Sequence, residues 1–253
     1  YNILTIDFRN PDLSNHINIL EPIICEYEKY IEYEKLLKAT NDKEKQKEYN
    51  NISLSHYAES NRLISSLAEI IMQEKVEGKD PFWNNSARNL LEGLISFFLE
   101  EYKEGKIKRE QITMTSIRKF QTSMMNDKNE RKFKILMEQK PYGTKSKDTL
   151  TPLLSMNENT YKSVTGVFNE KMAIFDDINV ANITSQSDFE LNILGRKPTA
   201  LFIIVPDEDK VYYTLVTIII GLIYKELVKL ANKNTVKKLD IEIDVSTYKN
   251  FNN

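Results

Sequence analysis

Seven cations in the middle of the chain have the types and spacing to act on a polyanion: Arg109, Arg118, Lys119, Lys128, Arg131, Lys132 and Lys134. The span 103–147 holds 13 Lys and Arg against 5 Asp and Glu, an excess of +8 in a chain whose formal net charge is −2. Charge segregated in this way points to an interaction surface, and nucleic acid is one partner that suits it. The seven fall on two neighbouring predicted helices and can share one face. Few aromatics are interleaved there; Phe120 and Phe133 are both expected to point inward. That argues against base stacking and for weak, sequence-indifferent, salt-sensitive binding. An acidic protein tail would suit the same face, and a solvated Lys-rich surface is the plain alternative.

Other chemistries are poorly supplied. A single cysteine, Cys25, and two histidines, His16 and His56, cannot make an intrachain disulfide and argue against a His/Cys zinc site. A phosphate-binding loop needs G-x-x-x-x-G-K-[ST], so that backbone amides and a Lys can cradle phosphate oxygens. None of the 7 glycines heads a Gly-Lys-Ser/Thr, and Gly143-Thr144-Lys145-Ser146 has the wrong order.

The elements that must position these groups are mostly helical. Only 7 Gly and 7 Pro in 253 residues leave few turn-makers, while 41% hydrophobic and 28% charged residues are ordinary for a globular protein. The organising stretch starts at Asp80, a good N-cap, followed by Pro81 at the first helical position. Trp83, Ala87, Leu90, Leu91, Leu94, Phe98 and Tyr102 then recur at helical spacing, with Trp83 expected as an interior anchor. Gly105 closes that helix.

Around it, residues 1–8 alternate as a strand stopped by Asn10-Pro11. Residues 21–38 and 53–74 read as helices, and the charged, amide-rich run 41–51 between them as a mobile loop. Residues 111–125 form a helix capped by Thr113 or Thr115, and residues 129–139 a basic helix. Residues 141–146 are a loop, and 149–168 are helical after Pro152. From 176 to 189 the chain is polar and irregular. Residues 199–205, a short apolar run bounded by prolines, read as a strand buried on both faces, as in a parallel sheet. Residues 212–231 read as a helix buried against that sheet, too short in its apolar part for a membrane span. Residues 239–245 alternate again, as a further strand. A strand in front, a helical middle and a strand–helix–strand end suggest an α/β domain into which the middle is inserted, with both ends in one sheet.

An ordered set of motifs carries a family resemblance. It comprises Asp80-Pro81-Phe82-Trp83 with Ser86-Ala87 and Leu90-Leu91, then Ile183-Thr184-Ser185-Gln186-Ser187-Asp188-Phe189. Lys197-Pro198-Thr199-Ala200 follows, leading into Phe202-Ile203-Ile204-Val205-Pro206-Asp207. The opening Tyr1-Asn2-Ile3 strand with Asn10-Pro11 fits the same series. Together they resemble the TraG/TraD-type coupling proteins of conjugative type IV secretion systems, along nearly the whole chain. The resemblance implies a mainly α chain with a small α/β part: an all-α domain (residues 11–175) inserted into a RecA-like P-loop NTPase domain, whose pieces are residues 1–10 and 176–253. It implies a membrane-anchored ATPase, hexameric at the secretion channel in the bacterial cytoplasm. Its inserted domain would recruit relaxase, other relaxosome proteins and single-stranded DNA.

ATP and Mg would act in the full-length protein, with none expected on this chain alone. The phosphate loop would lie before Tyr1, since the chain starts without Met or signal peptide and reads as part of something longer. The second nucleotide motif would be a strand closing on Asp-Glu. Ile241-Glu242-Ile243-Asp244-Val245 offers Asp244 at its first position but Val245 at its second. A strand-end surface acid is the alternative for Asp244. Two other readings stay open for the whole chain: a degenerate ATPase-like helical interaction module, and a helical protein binding DNA through its basic segment alone.

Overall fold

The structure is a computed structural model and describes residues 2–73, 80–124, 127–206 and 212–242. Its first strand, β1 (Asn2–Asp7), pairs in parallel with β2 (Thr199–Ile204), Asn2 lying opposite Thr199 and Asp7 opposite Ile204. Residues 2–7 and 199–204 therefore meet in one sheet, and the intervening helices are closed off as a loop of that sheet. Leu4 and Ile6 alternate into the core, as period-two geometry requires. Ile3 and Phe202, 67% and 54% exposed, occupy the opposite face.

Three long helices make the scaffold. α1 (Glu21–Ala39) and α2 (Lys43–Met72) form an antiparallel hairpin, and α3 (Pro81–Lys103) packs against α2. Asp80 caps α3 by accepting from the amide of Phe82 at 2.9 Å, and Pro81 follows at the first helical position. Every residue from Leu90 to Glu101 is buried. α3 ends where Gly105 adopts φ +72°. There the amides of Gly105 and Lys106 reach back to the carbonyls of Tyr102 and Glu101, both at 2.9 Å. This left-handed turn satisfies carbonyls that the helix end would otherwise orphan.

Around α3 lie α4 (Met114–Ser123), α5 (Asp127–Gln139), α6 (Lys145–Leu154) and α7 (Glu158–Met172). α6 comes closest: a Cβ on Gly93 would stand 2.5 Å from the Leu150 side chain. Two short helices, α8 (Ile178–Ile183) and α9 (Ile193–Arg196), lead into β2, and α10 (Tyr212–Glu242) returns against α2 and α9. No helix among the described residues is long and apolar enough to cross a membrane.

Several expectations need correction. The run 41–51 is not a loop: α2 starts at Lys43, capped by Asp42, which accepts from the amides of Glu44 at 2.9 Å and Lys45 at 3.4 Å. Lys, Glu and Gln are strong helix formers, and Gly and Pro are absent there, so the helix needs no apolar face to continue. Residues 149–168 are two helices, α6 carrying Pro152 inside it and α7 restarting at Asn157, whose side chain accepts from the amide of Thr160. The loop at 141–146 is shorter than expected. Glu100 of α3 accepts from the amide and hydroxyl of Ser146 and so starts α6 from a distance.

The irregular stretch 176–189 contains α8, capped by Asp177. β2 is not buried on both faces: Phe202 and Ile204 are exposed, because the described chain packs only one face of the sheet. Trp83 is half-buried in the first turn of α3, edge-on to Phe82 at 5.0 Å, and is no interior anchor. The strand expected at 239–245 is helical as far as Glu242, since no Gly or Pro after Gly221 ends α10; the remainder of that run, with Asp244, lies outside the described residues.

Candidate functional site

The basic helices are fixed to the scaffold by phenylalanines. Phe97 and Phe98 of α3 meet Phe120 of α4 at 5.4 and 5.6 Å, and Phe133 of α5 lies 5.2 Å from Phe97 and 5.3 Å from Phe120. Both rings point inward, so the opposite faces of α4 and α5 present the polar residues. Thr113 caps α4 by accepting from the amide of Ser116 at 3.1 Å.

The seven cations divide. Arg109 lies before α4 and turns to α1, where it donates to Glu21 at 2.7 Å and Glu28 at 2.9 Å. Those hydrogen bonds, Glu21 first, hold its guanidinium well above its usual range. Arg118 is 12% exposed, paired with Asp176 at 3.1 Å and bonded to Asn169. Both arginines are committed to the fold by ion pairs, Arg118 largely buried and Arg109 still partly exposed. Lys134 pairs with Glu130 at 2.7 Å along α5. Lys119, Lys128, Arg131 and Lys132 are exposed.

Part of the local charge excess is absorbed internally. Lys140, 6% exposed, stands 3.0 Å from Glu101, 3.2 Å from Glu100 and 3.4 Å from Glu104. Burial disfavours its charge, but the three carboxylates outweigh that and raise its affinity for the proton. Lys147 donates to the carbonyls of Glu138 and Lys140 at 2.8 and 2.7 Å, capping the end of α5. The surface is thus less basic than the residue count implies.

Between α4–α5 and α7 the structure has a cleft of about 260 Å³. Met124, Met156 and Tyr161 supply its apolar lining, with Glu130, Arg131 and Lys134 from α5 and Glu158 and Lys162 from α7 at its rim. Burial, then Glu130, pushes the Tyr161 phenol up to about 12, so it is neutral. Sequence reasoning missed this cleft because its walls are about thirty residues apart. The only signal was Glu158, Tyr161 and Lys162 on one helical face. A larger cleft of about 570 Å³ lies between α1, α9 and α10, but most of its charges are already paired, as in Glu26 with Lys229 and Arg196 with Glu190.

The family model for type IV secretory system conjugative DNA transfer matches residues 2–241. The chain belongs to that family. No curated protein matches it.

The coupling-protein resemblance is thereby shown, and with it a place in conjugative DNA transfer by type IV secretion. In this conjugative transfer protein the C-terminal end of β1 carries Asp7. Burial opposes its charge, but the amides of Arg9 and Asn10, at 2.8 and 3.1 Å, hold its carboxyl below the usual range. Arg9 donates in turn to the Val205 carbonyl beyond β2 at 3.1 Å. Asp7 thus closes a turn and has little left for a metal. Among the described residues no group of His, Cys, Asp and Glu is arranged to hold a metal ion.

Proposed function

We propose that the chain is the substrate-receptor part of a conjugative coupling protein, recruiting the relaxase–DNA complex to the transfer channel through α4 and α5. The observation that carries this reading is the exposed set Lys119, Lys128, Arg131 and Lys132 on helices whose inner faces are locked by Phe120 and Phe133. A rigid platform of this kind presents charge without reorganising. It suits phosphate or an acidic protein surface equally.

In the same reading, residues 11–175 are an all-α domain inserted into a RecA-like domain to which β1, β2 and α10 contribute. The parallel pairing of the two ends supports that arrangement. ATP and Mg drive transfer in the full-length protein, a hexamer at the inner face of the membrane in contact with the channel.

The test is transfer frequency between cells carrying the full-length protein with Arg131→Glu and Lys132→Glu together. Transfer should drop at least tenfold at unchanged protein level. Parental transfer would remove α5 from the recruitment surface.

A further inference from the structure

We propose that the cleft between α4–α5 and α7 docks a peptide segment carrying carboxylates beside one apolar side chain. This rests on the recruitment reading and names the chemistry of the recruited partner. The cleft, about 260 Å³, is smaller than pockets for drug-sized ligands, which run about 300–1,000 Å³. It admits a side chain or two, which is what one anchor residue of a peptide needs.

Its electrostatics choose the anchor's neighbours. Lys134 is paired with Glu130 and Lys162 with Glu158, along their own helices. No carboxylate among the described residues pairs with Arg131, which lines the same cleft and is exposed. A free guanidinium offers a planar fork of donors that matches a carboxylate. One turn along α5, Ile135 is 54% exposed, and Met124 and Met156 line the cleft itself. Methionine adapts its shape to whatever apolar group enters.

A nucleic-acid backbone fits this cleft less well. It has no apolar group for Met124, Met156 and Ile135, and its continuous negative charge would run past Glu130 and Glu158. No exposed ring lines the cleft to stack a base, Tyr161 being half-buried and Phe133 turned in. A peptide with spaced carboxylates meets Arg131 and leaves the two glutamates to its backbone amides.

The test is fluorescence anisotropy on the 253-residue chain with a panel of labelled octapeptides. Each carries one Leu, Ile, Phe or Met flanked by Glu or Asp, beside a counterpart with Gln or Asn for the acids; labelled (dT)20 is run in parallel. Acidic members should bind saturably and their amide counterparts at least tenfold more weakly. Arg131→Ala and Ile135→Ser, both surface changes, should each weaken the acidic members, Arg131→Ala by about tenfold or more. The proposal is overturned if no acidic peptide outbinds its counterpart, if neither variant matters, or if (dT)20 displaces the peptide and loses affinity equally in both variants. Transfer impaired by Arg131→Glu and Lys132→Glu with no peptide bound would sink the cleft assignment and leave recruitment standing. Peptide binding without a transfer defect would do the reverse.

Discussion

The carboxylate of Glu26 on α1 accepts a hydrogen bond from Lys229 on α10 at 2.7 Å. His56 of α2 lies 2.6 Å from the other oxygen and Lys29 3.0 Å from the first, so one acid, 5% exposed, joins three helices. It is the charged link between the helical hairpin and the helix that follows the sheet.

Burial opposes the charge on Glu26, but the bonds from Lys229, His56 and Lys29 outweigh it and bring its carboxyl down to about 2. A depressed acid stabilises the fold above its unfolded value, here 4.5, and the contribution disappears as pH falls to about 2. Glu26→Gln should therefore cost about 3 kcal/mol at neutral pH. Urea midpoints measured from pH 6 down to pH 2 should converge for parent and variant across that window. Parallel profiles would show that Glu26 is not the group lost.

Lys140→Met should lower stability by about 3–5 kcal/mol, because it leaves buried Glu100 without its cation and Glu101 with Lys106 alone. Urea denaturation reads this directly. A midpoint equal to the parent's would mean that these carboxylates are hydrated after all.

Gly93→Val should destabilise by about 1–3 kcal/mol through overpacking, since even a Cβ there meets Leu150 at 2.5 Å and Leu150 is fully buried. Gly93→Ala is milder, as alanine recovers about 1 kcal/mol of helix propensity. Thermal melts of the two variants should rank Val below Ala. The opposite order would show that α3 and α6 are less closely packed.

Single-stranded DNA binding, measured against salt, separates structural from surface arginines. Each phosphate contact contributes about −0.7 to the slope of log affinity on log salt. Arg131→Ala should make the slope shallower by about that amount. Arg118→Ala should leave the slope alone and lower the melting temperature instead, because Arg118 is committed to Asp176 and Asn169. Equal slope changes would place both on the phosphate path.

The helix at Asp80 was legible residue by residue: cap, proline, apolar spacing and terminating glycine are all local signals, and Gly105 turns where it was expected. The strands at residues 1–8 and 199–205 were legible for the same reason, and the helical middle between them suggested one sheet. The family resemblance came from ordered motifs that are themselves sequence. What the residues could not fix was anything decided by a distant partner. Arg109 and Arg118 read like their basic neighbours, yet carboxylates at Glu21, Glu28 and Asp176 commit both to internal ion pairs. Glu100 starts α6 by capping a helix 46 positions away, so the loop at 141–146 looked longer than it is. An alternating run at 239–245 resembled a strand, but alternation is a weak claim without a sheet to receive it, and α10 carries through to Glu242. The cleft beside Arg131 exists only because the fold brings α7 alongside α4 and α5. Local propensity and capping are written in neighbours along the chain; the pairing of charges and the closing of a cleft depend on which distant faces the core brings together.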